Sequence, residues 1–466
     1  MASTKRTTAS RTAATARRLK ADSHSWPAPV PSRAELASAF TQAFDLAEGR
    51  RLGHAARLSY IALSLAKALE LPAKQQRAAF YAALFHDAGV APSSAEVDRQ
   101  MNLNEEKIFS VGPEKSPKQI AAEIAPTNAA GVVELVRAHA ERGALVTRDL
   151  GFDSIVQEAI LSHHERWDGH GYPQALKEKA IPIVGRLLAT ADLIESLISG
   201  DLSALAARRN LLATLGEHGG HALDPAIVGL VQELSRSDAF WLGLYNEDLP
   251  QQLAASCPEG PAGQESSLED LRTFAAVFAG LADLKGEYTE HHSERTAELV
   301  ERIAATLDFS EGRRAMLSVA TLLHHIGLLG IPARVIAKPD ILSLSEMQLM
   351  RDHPTYSQMV LEAVPGLREA ATWVGAHHER PDGKGYPEML EEGVIPLEAR
   401  IIALADTYVA LISDRPYRQA LSHKDAEQVL LGAAGTQLDG KLVRLFVSLS
   451  LQPTSSRTAR RSRRKR

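Results

Sequence analysis

The chain has 466 residues, 45% hydrophobic and 23% charged, a balance that excludes a disordered or fibrous protein and leaves room for two or three globular domains. No apolar run approaches the ~20 residues of a membrane-spanning helix, and the lone Cys257 excludes an internal disulfide, so a cytoplasmic protein is expected. The net charge of −5 is unevenly spread: residues 1–20 carry six Lys/Arg and residues 457–466 carry seven, neither with an acid, so the remainder stands at −18.

In chain order, residues 1–32 read as a basic, Ser/Thr/Ala-rich tail. It is either simply solvated or in salt-sensitive contact with nucleic acid or an acidic partner. A first domain is expected over 33–250, where residues 52–69 and 78–85 place apolar side chains at three- and four-residue spacing, the period of an amphipathic helix. Residues 92–117, rich in Pro, Ser, Asn and Glu, suit a surface loop or lid, and an insertion is placed near 91–117. Residues 251–267 read as a linker. The helical period returns over 297–307 and 319–323 within a second domain, 268–452, and residues 453–466 form a second basic tail. Pro72, Pro173, Pro182, Pro354, Pro387 and Pro396 are expected to punctuate helices, and no stretch alternates as a strand. The fold class is therefore all-α, two tandem helical bundles with the chemistry held between facing helices.

The halves are copies. Residues 163–173 read His-His-Glu-Arg-Trp-Asp-Gly-His-Gly-Tyr-Pro and residues 377–387 read His-His-Glu-Arg-Pro-Asp-Gly-Lys-Gly-Tyr-Pro, matching at nine of eleven positions. His54 and His292 are 238 apart, as are His86 and His324; His139 and His353 are 214 apart, as are His163 and His377, and Asp192 and Asp406. The change of 24 locates the insertion in the first half between Asp87 and His139. Eleven of the 17 histidines fall on this pattern: His54, His86, His139, His163, His164, His292, His324, His325, His353, His377 and His378. One histidine on an apolar helix is usually a satisfied core residue; five at matched spacing in each half, with aligned aspartates, point to metal ligation.

On these residues the sequence resembles the HD-GYP family of phosphodiesterases, a branch of the HD superfamily of metal-dependent phosphohydrolases. The carrying features are His86-Asp87 followed by Ala-Gly, the paired His163-His164 and His377-His378, and Gly171-Tyr172-Pro173 with Gly385-Tyr386-Pro387. The resemblance implies HD-domain-like helical bundles holding two, sometimes three, metal ions, often iron or manganese. It also implies hydrolysis of cyclic di-GMP, a bacterial second messenger. Carried over residue by residue, the metal ligands of the first copy are His54, His86, Asp87, His139, His163, His164 and Asp192, with His86 and Asp87 at the catalytic centre. A weaker second site has His292, His324, His325, His353, His377, His378 and Asp406. Gly171, Tyr172, Pro173, Gly385, Tyr386, Pro387, Arg415 and Arg418 would contact substrate, and the Gly-Tyr-Pro face offers itself to other signalling proteins. His86 and Asp87 are expected to diverge at a helix end, the carboxylate bridging two ions.

Each copy departs from the family pattern. The first has Val90 where the family has lysine, Arg50 where it has a third-metal glutamate, and Asp201 and Ala204 where it has phosphate-gripping cations. The second keeps Arg415 and Arg418 in those places but has His325 for the bridging aspartate and Leu328 for the lysine. Two divalent ions are thus expected in the first copy and one or none in the second. The chain reads as a phosphodiesterase with a degenerate second copy; the alternative is a cyclic-dinucleotide sensor or scaffold without turnover.

Overall fold

The computed structural model describes residues 31–90, 119, 122, 129–198, 204–246, 248–258, 267–286, 291–415 and 418–449. The basic tails and the insertion at 91–117 lie outside them, apart from Pro31 and Ser32. The described residues are helical, with isolated bridges such as Gly219 with Leu223 and Ala434 with Leu438 but no strand. None of the described helices is long and apolar enough to cross a membrane.

Local sequence explains where the helices begin. Ser32, Ser267 and Ser343 each accept from the backbone three residues on, while Glu35, Asp270 and Glu346 bond back, closing a capping box before Arg33–Phe40, Leu268–Leu284 and Leu344–Glu362. Asp153 and Asp224 cap Ser154–Leu161 and Pro225–Leu234, the latter with proline in its first turn. Each such cap contributes about 1 kcal/mol.

Pro354 does not end a helix as its type suggests; it lies inside Leu344–Glu362. A proline there leaves the carbonyl four residues back, Met350, without its usual donor. His353 Nδ1 donates to that carbonyl at 2.7 Å.

The repeat is visible throughout. The helix His54–Ala68 pairs with Ala73–Phe85 and Ile183–Ile198, and His292–Thr306 pairs in the same way with Glu311–Leu323 and Leu397–Leu411. Arg186 bonds Asp224 at 2.5 Å and Arg400 bonds Asp439 at 2.7 Å, the same link in both copies.

The two copies do not keep separate cores. Phe40 and Phe44 lie 5.0 Å from Phe278, and Phe85 and Phe152 lie within 6.4 Å of Phe274, so one aromatic cluster joins the halves. The apolar core is accordingly continuous from Ala34 to Phe446. The joint is made by Gln42–Ala47, which packs on Ile326–Gly330 of the second copy, and by Arg33–Phe40, which touches both Leu268–Leu284 and Leu344–Glu362. The expected linker is partly structured as well: Leu249–Ser256 is a helix packed on Arg33–Phe40 and His54–Ala68.

Candidate metal centre

Four of the histidines, His86, His163, His324 and His377, sit where helices end, and that placement orients them. The last carbonyls of a helix lack backbone donors. His86 Nδ1 approaches the Ala83 carbonyl at 2.9 Å, and three others approach theirs at 2.5 Å: His163 on Ile160, His324 on Thr321 and His377 on Val374. A carbonyl only accepts, so each Nδ1 carries the proton and each Nε2 keeps a lone pair, the tautomer a metal ligand needs. His353 reaches the same state through the carbonyl that Pro354 frees.

In the first copy His54, His86 and Asp87 form one compact donor group, and His139, His163 and His164 form another. His139 Nε2 lies 3.3 Å from His163 Nε2 and 3.0 Å from His164 Nε2. His86 and Asp87 do not diverge: Nε2 of the one is 2.8 Å from Oδ2 of the other, because both side chains turn into the same space as His54. Asp87 Oδ1 is 3.6 Å from His139 Nε2, so this carboxylate spans from one donor group to the other. Asp192 is buried on Ile183–Ile198 but stands outside the two compact groups.

In the second copy His292, His324, His325 and Asp406 form one group and His325, His353, His377 and His378 the other. His325 belongs to both. It takes the place of Asp87, yet a neutral imidazole has one lone pair and cannot span two cations as a carboxylate does.

Burial sets the protonation states. Desolvation, reinforced by neighbouring imidazoles, holds His163, His325 and His377 well below their usual range; burial pushes His164 and His353 down to about 3 and His378 to about 4. These rings are neutral near pH 7. Burial alone would raise Asp87 and Asp406, but the histidines around them outweigh it, above all His86 for Asp87 and His292 for Asp406, keeping both carboxylates ionised.

Two anionic carboxylates among neutral imidazoles fit divalent cations. The buried His54 Nε2 and Asp87 Oδ1 have no hydrogen-bond partner, as do His292 Nδ1 and His324 Nε2 in the second copy. Unsatisfied buried polar atoms of this kind are costly unless a ligand meets them.

The Gly-Tyr-Pro loops close over the paired histidines by one mechanism in both copies. Glu165 accepts from the amides of Gln174 and Leu176, and Glu379 from those of Glu388 and Leu390. The Tyr172 and Tyr386 rings lie 5.0 and 4.8 Å from His164 and His378. A Cβ on Gly171 or Gly385 would meet the amide nitrogen of Arg166 or Arg380 at 2.3 or 2.5 Å, so only glycine fits. The cis Tyr172–Pro173 and Tyr386–Pro387 bonds follow.

Of the two arginines expected to meet substrate, Arg418 has its guanidinium otherwise engaged. Arg418 donates to the carbonyls of Ala410 and Leu411 at the end of Leu397–Leu411 and to that of its neighbour Gln419, and the backbones of Arg415 and Arg418 bridge each other. A cavity of about 240 Å³ beside His377 and His378 is lined instead by Arg351, Arg380 and Lys384. Arg351 lies over the Tyr386 ring at 5.4 Å, and its counterpart Arg137, 214 residues earlier, donates to the Pro173 carbonyl at 3.3 Å. Sequence reasoning missed both, although each stands two residues before an aligned histidine. It also missed Asp45 and Asp283, nine residues before His54 and His292, which accept from the amides of Gly53 and Ala55 and of Ser293 where those helices begin.

A helical bundle pair with buried His/Asp donor groups is the architecture of an HD-type metal enzyme. The family model described as HD domain matches residues 106–227 and 276–442. The chain belongs to the HD-GYP branch of this superfamily of metal-dependent phosphohydrolases, with two tandem copies. It is 30% identical over 429 residues to the 3′3′-cGAMP-specific phosphodiesterase 3 of Vibrio cholerae, covering 87% of this chain and 92% of that protein. A crystal structure of a cyclic GMP-AMP-specific phosphodiesterase from Vibrio cholerae aligns with TM-score 0.64 and 26% identity, over 91% of this chain and 99% of that one. A cyclic di-GMP phosphodiesterase of Thermotoga maritima is 34% identical over 176 residues, 37% of this chain and 48% of that protein.

Proposed function

We propose that the chain hydrolyses a 3′3′-linked cyclic dinucleotide, with 3′3′-cGAMP ahead of the cyclic di-GMP expected from sequence, and that the first copy, within residues 33–250, holds the catalytic ions. The observation that carries the catalytic assignment is Asp87, an ionised carboxylate reaching both donor groups of the first copy, where the second copy has His325. The shift in substrate rests on likeness running through both copies to a cGAMP-specific enzyme, against a partial likeness to a cyclic di-GMP enzyme.

His54, His86, Asp87, His139, His163 and His164 would hold two divalent ions, iron or manganese by resemblance. When bound, such a pair neutralises phosphate oxygens and makes hydroxide available near neutral pH. The chain contributes the rest. Carbonyl anchors keep the Nε2 lone pairs facing inward, and burial keeps the rings neutral. The Glu165-braced loop holds Tyr172 against His164, and Arg137 stands at its edge as a cation for the substrate's phosphates. The second copy, with its cation-lined cavity, serves as a nucleotide-binding partner with a weaker metal site.

The test is chromatographic. Purified full-length chain loaded with Mn(II) or Fe(II) is incubated with each dinucleotide and its linear product measured. Faster turnover of 3′3′-cGAMP supports the reading, and turnover of cyclic di-GMP alone reverses the substrate order. Binding of either without turnover favours the sensor reading, for which the missing lysines at Val90 and Leu328 speak.

A further inference from the structure

We infer that Glu195 is the positioning residue that gives the first copy its stronger metal site, and that Val409 in the same place weakens the second. The inference rests on the reading that the His/Asp groups hold divalent cations.

Glu195 lies three residues after Asp192 and is fully buried. Its Oε2 accepts from His54 Nδ1 at 2.5 Å. Its Oε1 is held by Arg57, at 2.8 Å from Nε and 2.7 Å from Nη2. This carboxylate is therefore fixed at both ends. It draws the His54 proton to Nδ1 and leaves a lone pair on Nε2, the buried atom without a hydrogen-bond partner beside His86 and Asp87. His54 needs this help because it starts its helix; the histidines at helix ends have a loose carbonyl three residues back, and His54 does not.

The second copy supplies the control. Three residues after Asp406 stands Val409, buried and unable to accept a proton. Arg295, in Arg57's place, bonds the Ser413 hydroxyl instead. With no carboxylate at Nδ1, His292 turns its chemistry around: Nε2 bonds Asp406 Oδ1 at 2.9 Å, and Nδ1 is the buried atom without a partner. Two donors that would face a cation thus engage each other. Loading that site first requires breaking this bond.

Partners that orient a metal-bound histidine are generally worth 10–100-fold in metal affinity. Mn(II) binding to the metal-free full-length chain is measured by equilibrium dialysis, with thermal melting in chelator as the folding control. Glu195→Gln keeps the side chain's shape and is expected to weaken the tighter Mn(II) class about 10–100-fold while the weaker class holds. Unchanged affinity with a lowered melting temperature would make Glu195 only a partner for Arg57 and overturn the inference. Should Glu195→Gln fail to fold, Val409→Glu decides: tightening of the weaker class supports the role, and an unaltered isotherm refutes it. His54→Ala separates the two levels, since Mn(II) binding unaffected by that change would remove the metal reading itself.

Discussion

Gly89, two residues after Asp87, faces the helix that carries His139 so closely that a methyl group has nowhere to go. A Cβ there would stand 1.9 Å from the His139 carbonyl oxygen and 2.7 Å from the Gly143 amide. Ordinary contact between these atoms needs about 3.4 Å or more. Gly89→Ala must therefore push the His139 helix back by more than an ångström. Overpacking of this kind costs about 1–3 kcal/mol of stability. Its effect on chemistry is larger, because the displaced helix carries His139 away from Asp87, now 3.6 Å distant, and from His163 and His164. A misplacement near 1 Å lowers turnover by on the order of 10²-fold. Gly327 repeats the geometry in the second copy, its Cβ 2.1 Å from the His353 carbonyl oxygen. Gly327→Ala should cost similar stability and leave turnover within a few-fold. Chemical denaturation and steady-state kinetics of the two variants provide the comparison. Equal losses of turnover, or a Gly89→Ala protein as stable as wild type, would refute the reasoning.

Asp87→Ala should reduce turnover to background and release metal from the first copy, whereas His325→Ala should change turnover little; elemental analysis with kinetics checks both, and the reverse pattern would exchange the roles of the copies. Arg418→Ala should destabilise the chain by about 1–2 kcal/mol through the freed carbonyls of Ala410 and Leu411 and leave KM within twofold, whereas Arg137→Ala should raise KM several-fold with little change in melting temperature. Adding Mn(II) at a thousand times its Kd should stabilise the native chain by about 4 kcal/mol per site, and Asp87→Ala should abolish the first copy's share in a calorimetric scan.

Much of this protein is written along the chain. The constant separations of 238 and 214 declare two copies, and the apolar periods place helices such as His54–Ala68 and Glu311–Leu323, because helices are stabilised by contacts three and four residues apart. The donor residues too were legible as residue types, since metal ligation demands imidazoles and carboxylates at defined places. What they do to one another was not. Glu195 reaches His54 across 141 residues, a pairing no local pattern signals. No sequence pattern singles out Phe40, Phe44 and Phe278, and only packing makes them the joint of a shared core. Arg418 looked like a phosphate grip until the end of Leu397–Leu411 claimed its guanidinium. Pro354 looked like a helix stop, yet the surrounding helix tolerates it and His353 uses the carbonyl it frees. Residue type limits which bonds a side chain can make; the meeting of distant segments in three dimensions chooses among them.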